Sequence, residues 1–153
     1  MILRTAGFAE ITTTILYSLL RLRSEVFVVE QNCVYPDLDG RDLEPGTLHV
    51  WLAEGEQVTA CLRVLDEPDG AARIGRVVVA PAWRGKGLGD QLVAGALTAI
   101  GDRPVRLESQ SGVTALYARH GFTVSGPDYV EDGIPHTPMF RPAPSSQPPP
   151  AGG

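Results

Sequence analysis

Residues 84–89 read Arg-Gly-Lys-Gly-Leu-Gly, three glycines and two cations placed where an amphipathic run, Leu88 to Ile100, begins. Glycine has no Cβ, so glycines at alternate positions let a backbone turn tightly and bring its N–H groups close to a ligand. At a helix start those N–H groups have no intrahelical acceptor, and the helix dipole adds positive potential. Arg84 and Lys86 set full charges beside them. The guest such a stretch holds best is an anion, above all a phosphate.

Spacing excludes two familiar phosphate loops. The pattern G-x-x-x-x-G-K-[ST] needs a hydroxyl residue after the lysine, whereas Lys86 lies between glycines. The pattern G-x-G-x-x-G is met by Gly85 and Gly87 but finds Asp90 at its third glycine. What remains is R-x-x-G-x-G, formed by Arg84, Gly87 and Gly89 after the apolar run Val77-Val78-Val79. Downstream lies a second short motif, ALYARHGF (115–122), with Tyr117 four residues before Gly121.

The chain that must position these groups has 153 residues, enough for one domain with a real core. Apolar residues make up 43% and charged residues 20%, a globular composition. The formal charge of −5 argues against nucleic-acid binding, which relies on a broad positive field. Cys33 and Cys61 form no C-x-x-C or metal spacing and read as free thiols in a reducing compartment, and no bound metal is expected. No apolar run reaches membrane-spanning length. The segment ILYSLLRLRSEVFVV (15–29) carries two arginines and a glutamate, which break any signal-peptide core. The expectation is a cytoplasmic protein that avoids membranes.

Periodicity predicts a helix from the Thr12–Thr14 caps through about Val29, then a polar loop over 30–46 rich in acids, proline and glycine. Loops of that length in compact domains are often functional. Leu48, Val50 and Leu52 alternate with Thr47, His49 and Trp51, and Gly55-Glu56 turns the chain into a second strand, Gln57–Leu65. A third strand, Ala72–Val79, leads into the glycine stretch and the Leu88–Ile100 helix. Strand Val105–Ser109, a short helix over Gly112–His120, strand Phe122–Ser125 and a last strand over Ile134–Phe140 follow. This order implies a mixed α/β fold, with the glycines at a strand-to-helix turn where ligands commonly bind. Residues 142–153 lack core-forming side chains and read as a disordered, proline-rich tail after a domain at 1–141.

In these two motifs, their order and the helix between them, residues 10–141 resemble the GNAT superfamily of N-acetyltransferases. Within it, LRSEVFVVEQNCVYPDLDGRD (22–42) and EDGIPH (131–136) are similar to the ElaA-like branch. The resemblance implies a single-domain fold with a mixed, mostly antiparallel twisted sheet flanked by helices. It implies acetyl-CoA as co-substrate and a small-molecule or peptide amine as acceptor, with a homodimer left open. The diphosphate would lie on the amides of Gly85, Lys86, Gly87, Leu88 and Gly89, beside the Arg84 charge. Val77 would offer its amide to the acetyl carbonyl, Val79 would pair with the pantetheine arm, and Tyr117 would be the general acid. The first two roles require strand 72–79 to splay from strand 105–109. Many members carry Asn seven residues before the tyrosine; here that place holds Gln110. Two alternatives stand beside the acetyltransferase: a CoA-binding sensor without catalysis, and a transferase of longer acyl chains.

The acceptor side is less determined by sequence. Glu30, Asp37, Asp39, Asp42, His49, Glu108 and His136 are all candidates for the base that takes the amine proton. The loop Glu30–Asp42 carries Glu30, Asp37, Asp39 and Asp42 against a single Arg41, which implies a negative field for a cationic amine, remote from the cationic glycine loop. Tyr35 would wall an alkyl stem, and His136 would lie at the acceptor end.

Overall fold

The computed structural model describes residues 1–146. One sheet of eight strands runs through it in the order β1-β2-β3-β4-β5-β8-β6, with β7 paired to β8. The strands are β1 Arg4–Ala6, β2 Leu48–Glu54, β3 Gln57–Asp66, β4 Ala72–Val79, β5 Val105–Gln110, β6 Thr123–Val124, β7 Tyr129–Glu131 and β8 Ile134–Arg141. All pairings are antiparallel except β4 with β5. Helix α1 (Thr13–Arg23) covers one face; α2 (Leu88–Ile100) and the short α3 (Thr114–Ala118) cover the other. This is the mixed, mostly antiparallel architecture expected from the sequence. β1 and β7 were too short to leave a periodic signal.

Each face has its own core. Val50, Leu52, Leu62, Val64, Ile74, Val105 and Leu107 pack with Leu88, Leu92, Val93 and Ala96 of α2. Trp51, Cys61 and Val78 point the other way, onto Leu19, Leu22, Val26 and Phe27. Because helices cover both faces, the alternation in β2 does not separate core from solvent: Leu48 is half-buried, while His49 and Trp51 are buried.

The long first helix expected through Val29 is two structures. Thr12 caps α1 through its hydroxyl, which accepts from Ile15 N–H at 3.3 Å. After Arg23 the chain loosens into π-helical turns over Ser24–Glu30, closed by Gln31 N–H to Val26 C=O at 3.0 Å and Cys33 N–H to Val28 C=O at 3.1 Å. Such wide turns are uncommon and gather at functional sites.

Two features of β4 open the sheet. Its parallel pairing with β5 covers only Ala72–Ile74 against Val105–Leu107, after which the strands part. On its other edge Cys61 pairs with Val78 and Arg63 with Gly75, so Arg76 and Val77 together face Leu62. The bulge is carried by Arg76 at φ +53, a left-handed conformation that a long side chain seldom adopts. At the chain's end, Pro144–Ser146 forms a single 3-10 turn in which Ser145 N–H donates to Asp102 Oδ1 at 3.0 Å. The first residues of the expected tail therefore touch the domain; residues 147–153 lie outside the described residues.

Candidate active site

The parted strands leave a cleft of about 660 Å³ between β4 and β5. Val77, Val78 and Val79 form one wall, Leu107, Glu108 and Gln110 the other, and Tyr117 also lines it. A second groove, of about 360 Å³, runs along Gly85, Gly87, Leu88 and Gly89. Val79, Arg84 and Val113 line both, so glycine loop and cleft form one continuous depression.

The glycine loop has the geometry its sequence demands. Gly85 and Gly87 sit at φ +76 and +79, and a Cβ on either would meet nothing within 4 Å, so open space lies above both. Gly87 is the N-cap of α2 and has no side chain to cap it, which leaves the first-turn N–H groups unanswered by any side chain. Gly89 differs: a Cβ there would lie 3.3 Å from a Leu116 methyl, so this glycine serves helix packing. Open, uncapped and flanked by Lys86, the loop suits a diphosphate.

Arg84 is not a free cation. Its guanidinium makes a two-point ion pair with Glu30 at 2.8 and 2.9 Å, and its Nε donates to Val79 C=O at 3.1 Å. The pair holds Glu30 below the usual carboxylate range. Ala80 N–H donates to Thr59 C=O at 2.8 Å, which by alternation directs the polar groups of Val79 away from β3 and toward the cleft. Tyr117 is buried, packs edge-on against Phe122 at 6.1 Å, and burial pushes its hydroxyl up to about 12. Gln110 lines the cleft, its amide donating to Gln31 Oε1 at 3.3 Å.

The acidic loop corrects the sequence reading. Asp37 and Asp42 are buried around Arg23, which reaches Asp37 Oδ2 at 2.9 Å and Asp42 Oδ1 at 2.7 Å. Asp39 takes two bonds from Arg63, at 2.8 and 2.6 Å, and Arg76 lies 2.8 Å from Asp37. Arg76 also crosses the Tyr35 ring at 5.4 Å, and the Tyr35 hydroxyl donates to Asp37 at 3.0 Å. Three arginines from α1, β3 and β4 thus meet three aspartates. The expected negative field is neutralised, and Glu30, far from being remote from the cationic loop, is bonded to it. Burial alone would raise Asp42, but Arg23 and Arg63 overcome it and hold the group low; the Arg63 bonds hold Asp39 lower still. His49 is wholly buried against Asp42 C=O at 3.2 Å, burial lowers its pKa, and it is absent from the cleft lining. Neither it nor the paired aspartates are suited to take a proton from a substrate. Tyr35 and Asp39 line the cleft, whereas Asp42 lies behind it.

At the far end, Glu108 accepts from Arg73 Nη1 at 3.0 Å, and burial with the nearby Glu108 charge pushes the Tyr129 hydroxyl up to about 12. His136 lines the cleft opposite Gln110 in the β5–β8 register. Its ring stacks on Tyr129, centroids 5.7 Å apart and 21° from parallel. Sequence reasoning passed over Arg76, Gln31, Arg73 and Tyr129. Their roles come from a bulge, a π turn and strand pairing, which leave no short motif.

Comparison with known proteins agrees with this geometry. Residues 17–141 match the acetyltransferase (GNAT) domain family. A UPF0039 protein of Mycobacterium tuberculosis is 46% identical over 144 residues, covering 92% of each chain. Among solved structures, an acyl-CoA N-acyltransferase from Pseudomonas aeruginosa superposes with a TM-score of 0.87 at 43% identity, covering 92% of this chain and 99% of that one. ElaA of Escherichia coli does so with a TM-score of 0.87 at 36% identity and the same coverage. No helix among the described residues is long and apolar enough to cross a membrane. With the match over most of its length, its parted β4 and β5 and its open glycine loop, the chain belongs to the GNAT acetyltransferase family, in the ElaA-like branch, and is an acyltransferase.

Proposed function

We propose that the chain transfers an acetyl group from acetyl-CoA to an amine. The observation that carries this reading is the continuity of the glycine-loop groove with the cleft that holds Tyr117. The uncapped amides from Gly85 to Gly89, with Lys86 beside them, hold the diphosphate. The cleft-facing groups of Val79 and Gln110 orient the pantetheine arm. The amide of Val77, fixed by the bulge, donates to the carbonyl oxygen as charge gathers there.

Acetyl-CoA supplies an activated carbonyl with a thiolate leaving group. The chain holds that carbonyl, admits the amine from the far end of the cleft and returns a proton to sulfur. Tyr117, raised to about 12 by burial, keeps its proton at neutral pH and is available as donor. Arg23, Arg63 and Arg76 act indirectly, clamping residues 35–42 onto the bulge.

The test is binding followed by turnover. Acetyl-CoA raises the melting temperature by mass action, whereas NAD and ATP leave it nearly unchanged. Thiol release is then followed with a panel of primary amines, and with acetyl-CoA compared against hexanoyl-CoA. No shift with any acyl-CoA overturns the reading. Faster release from hexanoyl-CoA moves the donor to longer chains, and binding without release from any amine favours a sensor.

A further inference from the structure

We propose that His136 is the general base, acting through Nε2, which accepts the amine proton while Nδ1–H is fixed by the backbone. The inference rests on the acetyltransferase reading above. His136 Nδ1 lies 2.8 Å from Ile134 C=O, two residues earlier on the same strand. A carbonyl only accepts, so the neutral ring carries its hydrogen on Nδ1, and the lone pair is left on Nε2. Stacking on Tyr129 holds the ring plane. The ring therefore has a set tautomer and a set orientation, and it lines the cleft.

The competing groups are engaged. Asp39 is bonded by Arg63, Glu108 by Arg73, and Glu30 by Arg84. His49 stands outside the cleft. The groups around His136 are Gln110 and Glu108 on β5, Tyr129 and Glu131 on β7, Asp132 in the turn, and Arg73 behind Glu108. Among the described residues, Glu131 and Asp132 have no ion-pair partner, so they supply the negative rim that draws an ammonium toward the ring. A carboxylate in water is a weak base for an ammonium, whereas the neutral ring presents one unshared nitrogen lone pair at Nε2.

The protons balance as follows. Nε2 takes one proton from the ammonium and later releases it to solvent. The freed nitrogen lone pair forms the N–C bond, the C–S bond breaks, and sulfur takes the Tyr117 proton. The second amine proton, lost as the amide forms, returns through water to the Tyr117 oxygen.

The test compares the full chain with His136→Gln, and with Glu131→Gln as a rim control. On any amine of the panel that releases thiol, His136→Gln is expected to lower kcat about 10²-fold or more. The acid limb of the kcat/KM–pH profile should vanish, added imidazole should restore part of the rate, and the acetyl-CoA thermal shift should persist. Glu131→Gln should raise the amine KM and keep the pH profile. An unaltered profile in His136→Gln overturns the assignment. Independently of any acceptor, ¹⁵N-correlated NMR of the parent reads the ring: hydrogen on Nδ1 supports the assignment, and hydrogen on Nε2 overturns it. Loss of the acetyl-CoA shift in the parent itself would instead overturn the reading on which it rests.

Discussion

Glu30 and Arg84 stand 54 positions apart in the chain and meet across the mouth of the glycine groove, with two oxygens on two nitrogens at 2.8 and 2.9 Å. The last residue of the π-helical turns is thereby bonded to the first residue of the glycine loop. Glu30→Gln removes the carboxylate that neutralises Arg84 beside the glycine groove. Acetyl-CoA affinity is expected to rise a few-fold, more at low salt than at high salt, because both groups are solvent-facing and screened. Calorimetric titration at two ionic strengths checks this; weaker binding would mean that the pair positions the loop.

Replacing Gly87 with valine sets a β-branched side chain at φ +79, where valine is strained, and fills the open space above the loop. The acetyl-CoA thermal shift should disappear. Gly89→Ala works differently. Its methyl presses on Leu116, so stability should fall modestly while the shift survives.

Tyr117→Phe keeps the ring and removes the donor. Acetyl-CoA affinity should hold and turnover fall, since the donor matters as charge forms on sulfur. Burial raises the folded pKa of Tyr117 to about 12, above the unfolded value near ~10. Its contribution to stability is therefore full below pH ~10 and lost as pH rises toward 12. Alkaline unfolding followed by circular dichroism should be less steep in Tyr117→Phe; an identical curve would place the titration elsewhere, for instance at Tyr129.

Arg23→Met leaves Asp37 and Asp42 buried without their shared cation, and stripping one partner from such a cluster costs about 3–5 kcal/mol. Urea unfolding measures this. Asp42 and Asp39 are both held below their unfolded values in the parent, so their contribution is present above pH ~4 and lost as pH falls below it. Acid unfolding should therefore begin at higher pH in Arg23→Met than in the parent.

Some of this protein was written locally. A left-handed turn, an uncapped helix start and a cation next to each other need only six consecutive residues, so 84–89 marked the strand-to-helix turn that the structure shows there. Tyr117 was singled out by resemblance, and it lines the cleft. The α/β order followed from periodicity, which burial on one face of a helix imposes directly on sequence. Charge partners were not legible. Asp37, Asp39 and Asp42 look like an exposed acidic loop until Arg23, Arg63 and Arg76 arrive from α1, β3 and β4 to neutralise them. The same holds for the left-handed backbone at Arg76, which no propensity foretells and which persists because Asp37 and Tyr35 hold its side chain. Composition and short motifs fix what lies within one or two turns of the chain. The sign of a local field, the tautomer of His136 and the gap between β4 and β5 depend on groups that only folding brings within a few ångströms of each other.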